Sequence, residues 1–213
     1  MKITLFIYIA YIFLAGVLRI VFLLLFFADG IMWEISFGRW IMELDKNIEI
    51  AFATEDIAYQ LAAVHIKSWQ SAYKGIIPQD YLDSLSIEKK AKVYNFENDL
   101  NKSGCFFAAK LNDSVIGLMH LCNCRECDEN AGEVSAIYIL PEYCNMGYGS
   151  QLMKYATQFF KERKYSRIIV WVLAKNKNAI NFYRKHGFED NKIEKKLTIG
   201  KEMEVKRYSA YIE

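Results

Sequence analysis

Residues 132–163 run from a strand through a proline stop and a Gly-x-Gly turn into a helix. Residues 132–140 are β-rich, and Pro141 ends them. Gly147-Tyr148-Gly149-Ser150 then opens a helix to about Arg163, with Leu152, Ala156, Phe159 and Phe160 along one face. A helix N-terminus presents N–H groups without intrahelical partners and the positive end of the helix dipole. Glycines there let the backbone reach φ > 0 and come close to a phosphate. The combination predicts a pyrophosphate cradle with Gly147 and Gly149 at its mouth. The same residues also suit a plain tight strand-to-helix turn. A Rossmann fingerprint is excluded because position 152 is Leu, and a P-loop because no Gly-Lys-Ser/Thr follows.

The flanking segments alternate between helical and strand periodicity. Residues 47–53 read as a strand. Thr54 reads as an N-cap with Glu55 and Asp56 in the first turn. The helix it starts reaches about Ala72, with Ile57, Leu61, Val64, Ser68 and Trp69 at helical spacing. Tyr73-Lys74-Gly75 breaks it. Pro78 begins a short turn of helix through Leu85, and Ser86 caps another helix to about Leu100. Strands are predicted at 104–110, 115–122 and 167–173, and finally at about 188–198 and 202–211. Residues 179–186 form a helix, and Gly187 suits its left-handed cap. The predicted class is α+β: a mixed, mainly antiparallel central sheet flanked by helices, preceded by an apolar N-terminal segment.

Charge excludes some functions. The chain has 27 basic and 25 acidic residues, a net +2, and no nucleic-acid recognition motif, so a nucleic-acid partner is not expected. Residues 1–150 hold 12 basic and 18 acidic residues and residues 151–213 hold 15 and 7, which suits a basic face toward an anionic ligand as well as ordinary solvated faces. Five cysteines in no framework spacing point to a reducing compartment. Cys122, Cys124, Cys127 and Asp128 have zinc-like chemistry. They lack a second ligand pair and fall in an expected hairpin loop, so no metal is predicted.

Two ordered motifs carry a resemblance. Glu133-Val134-Ser135-Ala136-Ile137-Tyr138-Ile139-Leu140-Pro141-Glu142-Tyr143 leading into Gly147-Tyr148-Gly149-Ser150-Gln151-Leu152 resembles the central motif of the GNAT acetyltransferase superfamily. Asn176-Lys177-Asn178-Ala179-Ile180-Asn181-Phe182-Tyr183-Arg184-Lys185-His186-Gly187-Phe188 is similar to its second motif. Ser68-Trp69-Gln70-Ser71-Ala72-Tyr73-Lys74-Gly75-Ile76-Ile77-Pro78 resembles the first helix and loop of many small bacterial members. The likeness spans about residues 47–211.

The resemblance implies an acetyl-CoA-dependent N-acetyltransferase acting on a primary amine. It assigns the pantetheine arm to a splayed strand at Ile137, Tyr138 and Ile139. The phosphates go to Cys144, Asn145, Met146, Gly147, Tyr148, Gly149 and Ser150, and a further cofactor contact to Asn176. Tyr183 is placed beside the CoA sulfur, where a phenol can protonate the leaving thiolate, although a core aromatic fits the same helix face. The attacking amine must lose a proton. Glu133, of the same strand parity as Ile137 and Ile139, is the candidate base, with His120 an alternative. Trp69, Tyr73 and Tyr81 are candidate acceptor-pocket residues, and core packing is an equal reading. The family usually has Arg or Gln where this chain has Cys144, so a long donor is lost. A thiol at that place is expected to have a lowered pKa. The acceptor is a small-molecule or protein amine, and a homodimer is compatible with the family. A non-catalytic acyl-CoA-binding module is the competing reading.

Residues 3–27 are apolar except for Arg19, long enough to span a bilayer as a helix and too long for a signal-peptide core. Two readings stay open. One is an anchor that tethers a protein acetyltransferase to the inner face of the membrane. The other is an upstream extension over 1–41 that is not made in the cell, since Met32 and Met42 precede the acetyltransferase domain expected at 47–213. The expected location is cytoplasmic, where acyl-CoA is found.

Overall fold

The computed structural model describes residues 10–14, 17–21, 48–124, 126 and 130–212. The chain divides into two units, Met1–Asp45 and Lys46–Glu213. In the first, β1 (Ala10–Leu14) and β2 (Val17–Val21) pair antiparallel, with Ala10 opposite Val21 and Leu14 opposite Val17. The described part of the 3–27 stretch is therefore a pair of antiparallel strands, and the reading of that stretch as a membrane-spanning helix has no support among the described residues. Its aromatic and β-branched residues, Tyr11, Ile12, Phe13, Val17, Ile20 and Val21, favour extended backbone. Among the described residues no helix is long and apolar enough to cross a membrane. The rest of the 1–41 extension lies outside the described residues.

The second unit is a seven-stranded sheet in the order β3-β4-β5-β6-β7-β9-β8. Its strands are β3 (Glu49–Phe52), β4 (Cys105–Leu111), β5 (Ser114–Asn123), β6 (Ala131–Ile139), β7 (Arg167–Leu173), β8 (Glu189–Ile199) and β9 (Lys201–Tyr211). β6 and β7 run parallel and the other neighbours antiparallel. A parallel pair needs a crossover. Here it is α4 (Tyr148–Glu162), which follows α1 (Ala58–Ala72), α2 (Gln79–Asp83) and α3 (Ile87–Ala91) and precedes α5 (Lys177–Lys185). The mixed, mainly antiparallel sheet flanked by helices agrees with the predicted class.

Two core layers position everything else. Leu152, Met153, Ala156, Phe159 and Phe160 of α4 pack on Phe107, Met119, Leu121, Val134, Ile168 and Val170. On the opposite face Leu61 and Val64 of α1 cover Ala108 and Leu118. Two local expectations fail. Thr54 is extended but its side chain makes no cap bond, and the chain takes a 3-10 turn over Glu55–Ile57 before α1 begins. Ser86 does cap α3, its hydroxyl accepting from the Lys89 N–H at 3.2 Å, yet α3 stops at Ala91 instead of Leu100. Beyond it Tyr94 and Phe96 both lean on the Phe106 ring, centroids 4.9 and 6.1 Å away. Residues two apart share one side only in extended chain.

A β-bulge decides which residues of β6 face which layer. His120 pairs with Ala136 and Leu121 with Val134, which leaves Ser135 without an opposite residue on β5. The alternation therefore reverses at Ser135. Val134 joins Ile137 and Ile139 on the α4 side, while Tyr138 packs on the α1 side. Glu133, next to Val134, does not share the face of Ile137 and Ile139 as the uninterrupted parity predicts. It lies on the Tyr138 side.

Candidate active site

β6 and β7 are in register over three pairs, Ala131–Arg167, Gly132–Ile168 and Glu133–Ile169. Beyond Glu133, β6 continues only with β5, as far as Gly117–Ile139, and β7 only with β9. The sheet opens as a fork, and the backbone of Ile137, Tyr138 and Ile139 lies along one prong.

The loop after β6 ends at the N-terminus of α4. Pro141–Tyr143 forms a 3-10 turn, and then Asn145 at φ +63° and Gly147 at φ +94° turn the chain into the helix. The N–H groups of Asn145, Met146, Gly147, Tyr148 and Gly149 make no hydrogen bond among the described residues. Those of Cys144 and Ser150 turn inward, to the Pro141 and Gly147 carbonyls at 3.2 and 3.0 Å, so five of the seven expected amides are open. Left-handed residues alternating with ordinary backbone make an anion-binding concavity, reinforced by the helix dipole. A Cβ on Gly147 would meet nothing within 4 Å, so the space beside it is open. These residues fit a diphosphate.

Across from this loop stands α5. Asn176 caps it, its side-chain oxygen accepting from the Ala179 N–H at 3.1 Å, so the helix starts two residues earlier than predicted. Tyr183 is buried on the inner face of α5. Burial first, and then the neighbouring Tyr138, push its phenol well above the usual value, so it carries its proton at neutral pH. The same face of α5 presents Phe182 and His186. Phe182 sits against Gly149, where a Cβ would lie 3.3 Å from its ring, and His186 Nε2 is 3.1 Å from the Ser150 hydroxyl.

Trp69, Tyr73 and Tyr81 fall together, packed with Trp171, Ile76 and Ile199 against a core of Ile77, Leu82, Leu173, Met203 and Val205. Trp69 and Tyr73 meet edge to face at 5.1 Å. Gly200, φ +69° in the β8–β9 turn, abuts Tyr81, to whose Cβ an added methyl would come within 2.9 Å. His65, absent from the sequence reading, stacks at 5.2 Å from Trp69 and 4.9 Å from Tyr138. Burial, with Lys90 contributing, lowers its pKa to about 3. The Tyr73 phenol is raised far above its usual value by burial, then by Tyr138 and Tyr183. That coupling links the aromatic wall to Tyr183. Trp69 Nε1 is buried and influences the Tyr138 phenol, but among the described residues no acceptor lines up with it for a hydrogen bond.

Other expectations change. Glu133 is 2 % exposed, at the vertex of the fork. His120 has both nitrogens engaged, Nδ1 with the Ser135 hydroxyl at 2.5 Å and Nε2 with the Ser103 carbonyl at 2.8 Å, and it stacks on Phe106. That makes it a framework residue. The Cys144 thiol is raised, not lowered, by partial burial and then by Glu142. Its sulfur points back at the Ile139 and Leu140 carbonyls, 3.7 and 3.6 Å away, where negative oxygens oppose a thiolate. Cys124 is disulfide-bonded, and Cys105, Cys122 and Cys144 are free. Among the described residues no three side chains are grouped to hold a metal, and Cys127 and Asp128 lie outside them.

The chain is similar to known proteins. The model of the acetyltransferase (GNAT) family matches residues 66–188. An uncharacterized N-acetyltransferase of Bacillus subtilis, YuaI, is 34 % identical over 139 residues, 63 % of this chain and 76 % of the relative. The spermidine N(1)-acetyltransferase of Thermoplasma acidophilum is 27 % identical over 147 residues, 67 % of this chain and 89 % of the relative. Among solved structures, the PaiA N-acetyltransferase of Thermoplasma acidophilum in complex with coenzyme A superposes with a TM-score of 0.60 at 24 % identity, covering 78 % of this chain and 99 % of that one. The family match runs from the aromatic wall of α1 through the fork and the phosphate loop to the end of α5, and on it the chain belongs to the GNAT acetyltransferases, as an acyl-CoA-dependent N-acetyltransferase.

Proposed function

We propose that the protein transfers an acetyl group from acetyl-CoA to a primary amine admitted between α1, α2 and the β8–β9 hairpin. The observation that supports this most is the fork itself. It has an open amide cradle at the α4 end, a proton-bearing Tyr183 on one side and an aromatic wall on the other. Ile137, Tyr138 and Ile139 would hold the pantetheine arm by their backbone, and residues 145–149 the diphosphate, with Asn176 adding its free amide. When bound, acetyl-CoA supplies the acyl group as an activated thioester that an unprotonated amine can displace.

The chain's own residues handle the protons. Tyr183 delivers one to the departing sulfur, because burial keeps the phenol neutral. Glu133 receives the amine's proton through water. Its position at the vertex and on the Tyr138 face supports that role, because the aromatic wall lies toward the same side. Trp69, Tyr73 and Tyr81 would hold the acceptor, and aromatic faces attract an ammonium before it is deprotonated. The named substrate of the Thermoplasma acidophilum relative, spermidine, makes polyamines the first acceptors to try. Cytoplasmic acetyl-CoA would be the donor.

A thiol-release assay over polyamines, amino acids, aminoglycosides and peptide N-termini tests the reading. Turnover with a primary amine that falls about 10²-fold or more in Glu133→Gln supports it. Binding of acetyl-CoA with no thiol release on any acceptor would instead favour a non-catalytic acyl-CoA-binding module.

A further inference from the structure

We propose that His186 is a cofactor-binding residue that orients the Ser150 hydroxyl and supplies, from the neighbouring helix, the positive charge that Cys144 does not. This rests on the phosphate cradle described above. Ser150 is the third residue of α4, so its side chain stands at the rim of the open amides. His186 Nε2 meets that hydroxyl at 3.1 Å. Phe182, one turn earlier on α5, fixes the imidazole at 4.7 Å between ring centres and itself rests against Gly149. One face of α5 thus closes directly on the mouth of the cradle.

Sequence position alone gives His186 no role, because it is 36 residues from Ser150. The local chemistry gives it one. Cys144 stands where a long donor is usual, and its thiol points back into the loop. The cradle otherwise offers neutral amides. His186 is half-buried, and Lys185 is the charged group that acts on it. α4 presents the uncharged Ser150, and α5 the Phe182 ring. Burial, and then Lys185, hold its pKa below the usual value, so the imidazole is neutral before ligand arrives. Two phosphate charges beside Ser150 favour the protonated ring. Nε2–H then donates to the Ser150 oxygen, and the hydroxyl hydrogen is freed to turn toward a phosphate oxygen. Binding therefore takes up a proton from solvent.

The test is calorimetric titration of the full chain with 3′-dephospho-CoA, whose diphosphate stays ionised throughout and whose lost monoester removes the competing titration. Measurements at about pH 6 and about pH 8, in buffers of different ionisation enthalpy, give both affinity and proton uptake. The expected result is binding roughly three- to tenfold weaker at the higher pH, with net proton uptake at the lower. His186→Gln, which keeps a hydrogen bond to Ser150 but cannot charge, should bind with no pH slope and no uptake. A wild-type protein that binds equally at both values, or a slope unchanged in His186→Gln, overturns the proposal while the cradle stands. No binding at either pH overturns the cradle reading and this one with it.

Discussion

Glu133 and Ile169 are the last residues in register between β6 and β7, and from that pair the two strands part. One step earlier Gly132 pairs with Ile168, and a Cβ on Gly132 would come within 2.3 Å of the Phe160 ring. Phe160 is fully buried and cannot swing aside. Gly132→Ala should therefore destabilise the protein by about 1–3 kcal/mol through overpacking. Chemical denaturation checks this, and an unshifted midpoint would contradict it.

Tyr183→Phe should lower kcat roughly 10²-fold and leave the dissociation constant for CoA within about twofold, since it removes a proton and no backbone contact. Burial, followed by Tyr138, raises the phenol, so Tyr183 stays protonated throughout the neutral range and gives wild-type kcat no alkaline limb below about pH 10. An alkaline loss that begins nearer neutrality and vanishes in Tyr183→Phe would argue against this role.

His65 makes stability depend on acid. Its folded pKa of about 3 lies below the unfolded value of 6.5, so the unfolded chain binds a proton that the native protein refuses. The stabilisation is complete above the unfolded value and is lost as pH falls below it, by at most about 1.4 kcal/mol per pH unit. Urea denaturation of wild type and His65→Phe at neutral and at mildly acidic pH measures the difference. Parallel losses in both proteins would mean that other groups carry the acid sensitivity.

Cys144 should alkylate slowly. Its thiol is raised by burial and then by Glu142, so little thiolate is present at neutral pH. Iodoacetamide is expected to modify it no faster than an ordinary exposed cysteine, as peptide mass spectrometry can follow. Rapid modification would mean that the helix dipole outweighs both effects.

Gly147→Ala separates conformational strain from lost space. The position has room for a methyl group, but its φ of +94° does not suit an L side chain. The expected cost is about 1–2 kcal/mol in stability, together with weaker CoA binding as the cradle amides turn. A variant with both properties unchanged would show that the loop tolerates another backbone path.

Much of this architecture is legible in the chain because it depends on local chemistry. β7 occupies the predicted residues, since Ile168, Ile169, Val170 and Val172 suit strand backbone, and Gly187 takes φ +79° at the end of α5 as a glycine cap should. What is not legible depends on partners far away in sequence. The bulge at Ser135 leaves no trace in composition, yet it reverses every side chain before it, and Glu133 with them. The short α3 reflects the pull of Phe106 on Tyr94 and Phe96. Nothing near Cys144 announces that carbonyls face its sulfur. His65 and His186 become interesting only once Trp69, Tyr138 and Ser150 stand beside them. The signal that was present, His186 four residues after Phe182 on one helical face, reads equally as packing.

The three-pair register between β6 and β7 has a thermodynamic reach beyond the fork. Strands β3 to β6 form one antiparallel half of the sheet and β7 to β9 the other, and this short seam is the backbone pairing that joins them. A ligand lying between the prongs would clasp both halves. At a hundredfold excess over its dissociation constant it would add about 2.7 kcal/mol to the resistance against unfolding. Amide exchange along residues 134–139 and 170–173 should slow together when it binds. Under the proposed function, the lifetime of the folded enzyme would then follow the acetyl-CoA pool, falling when the donor is scarce.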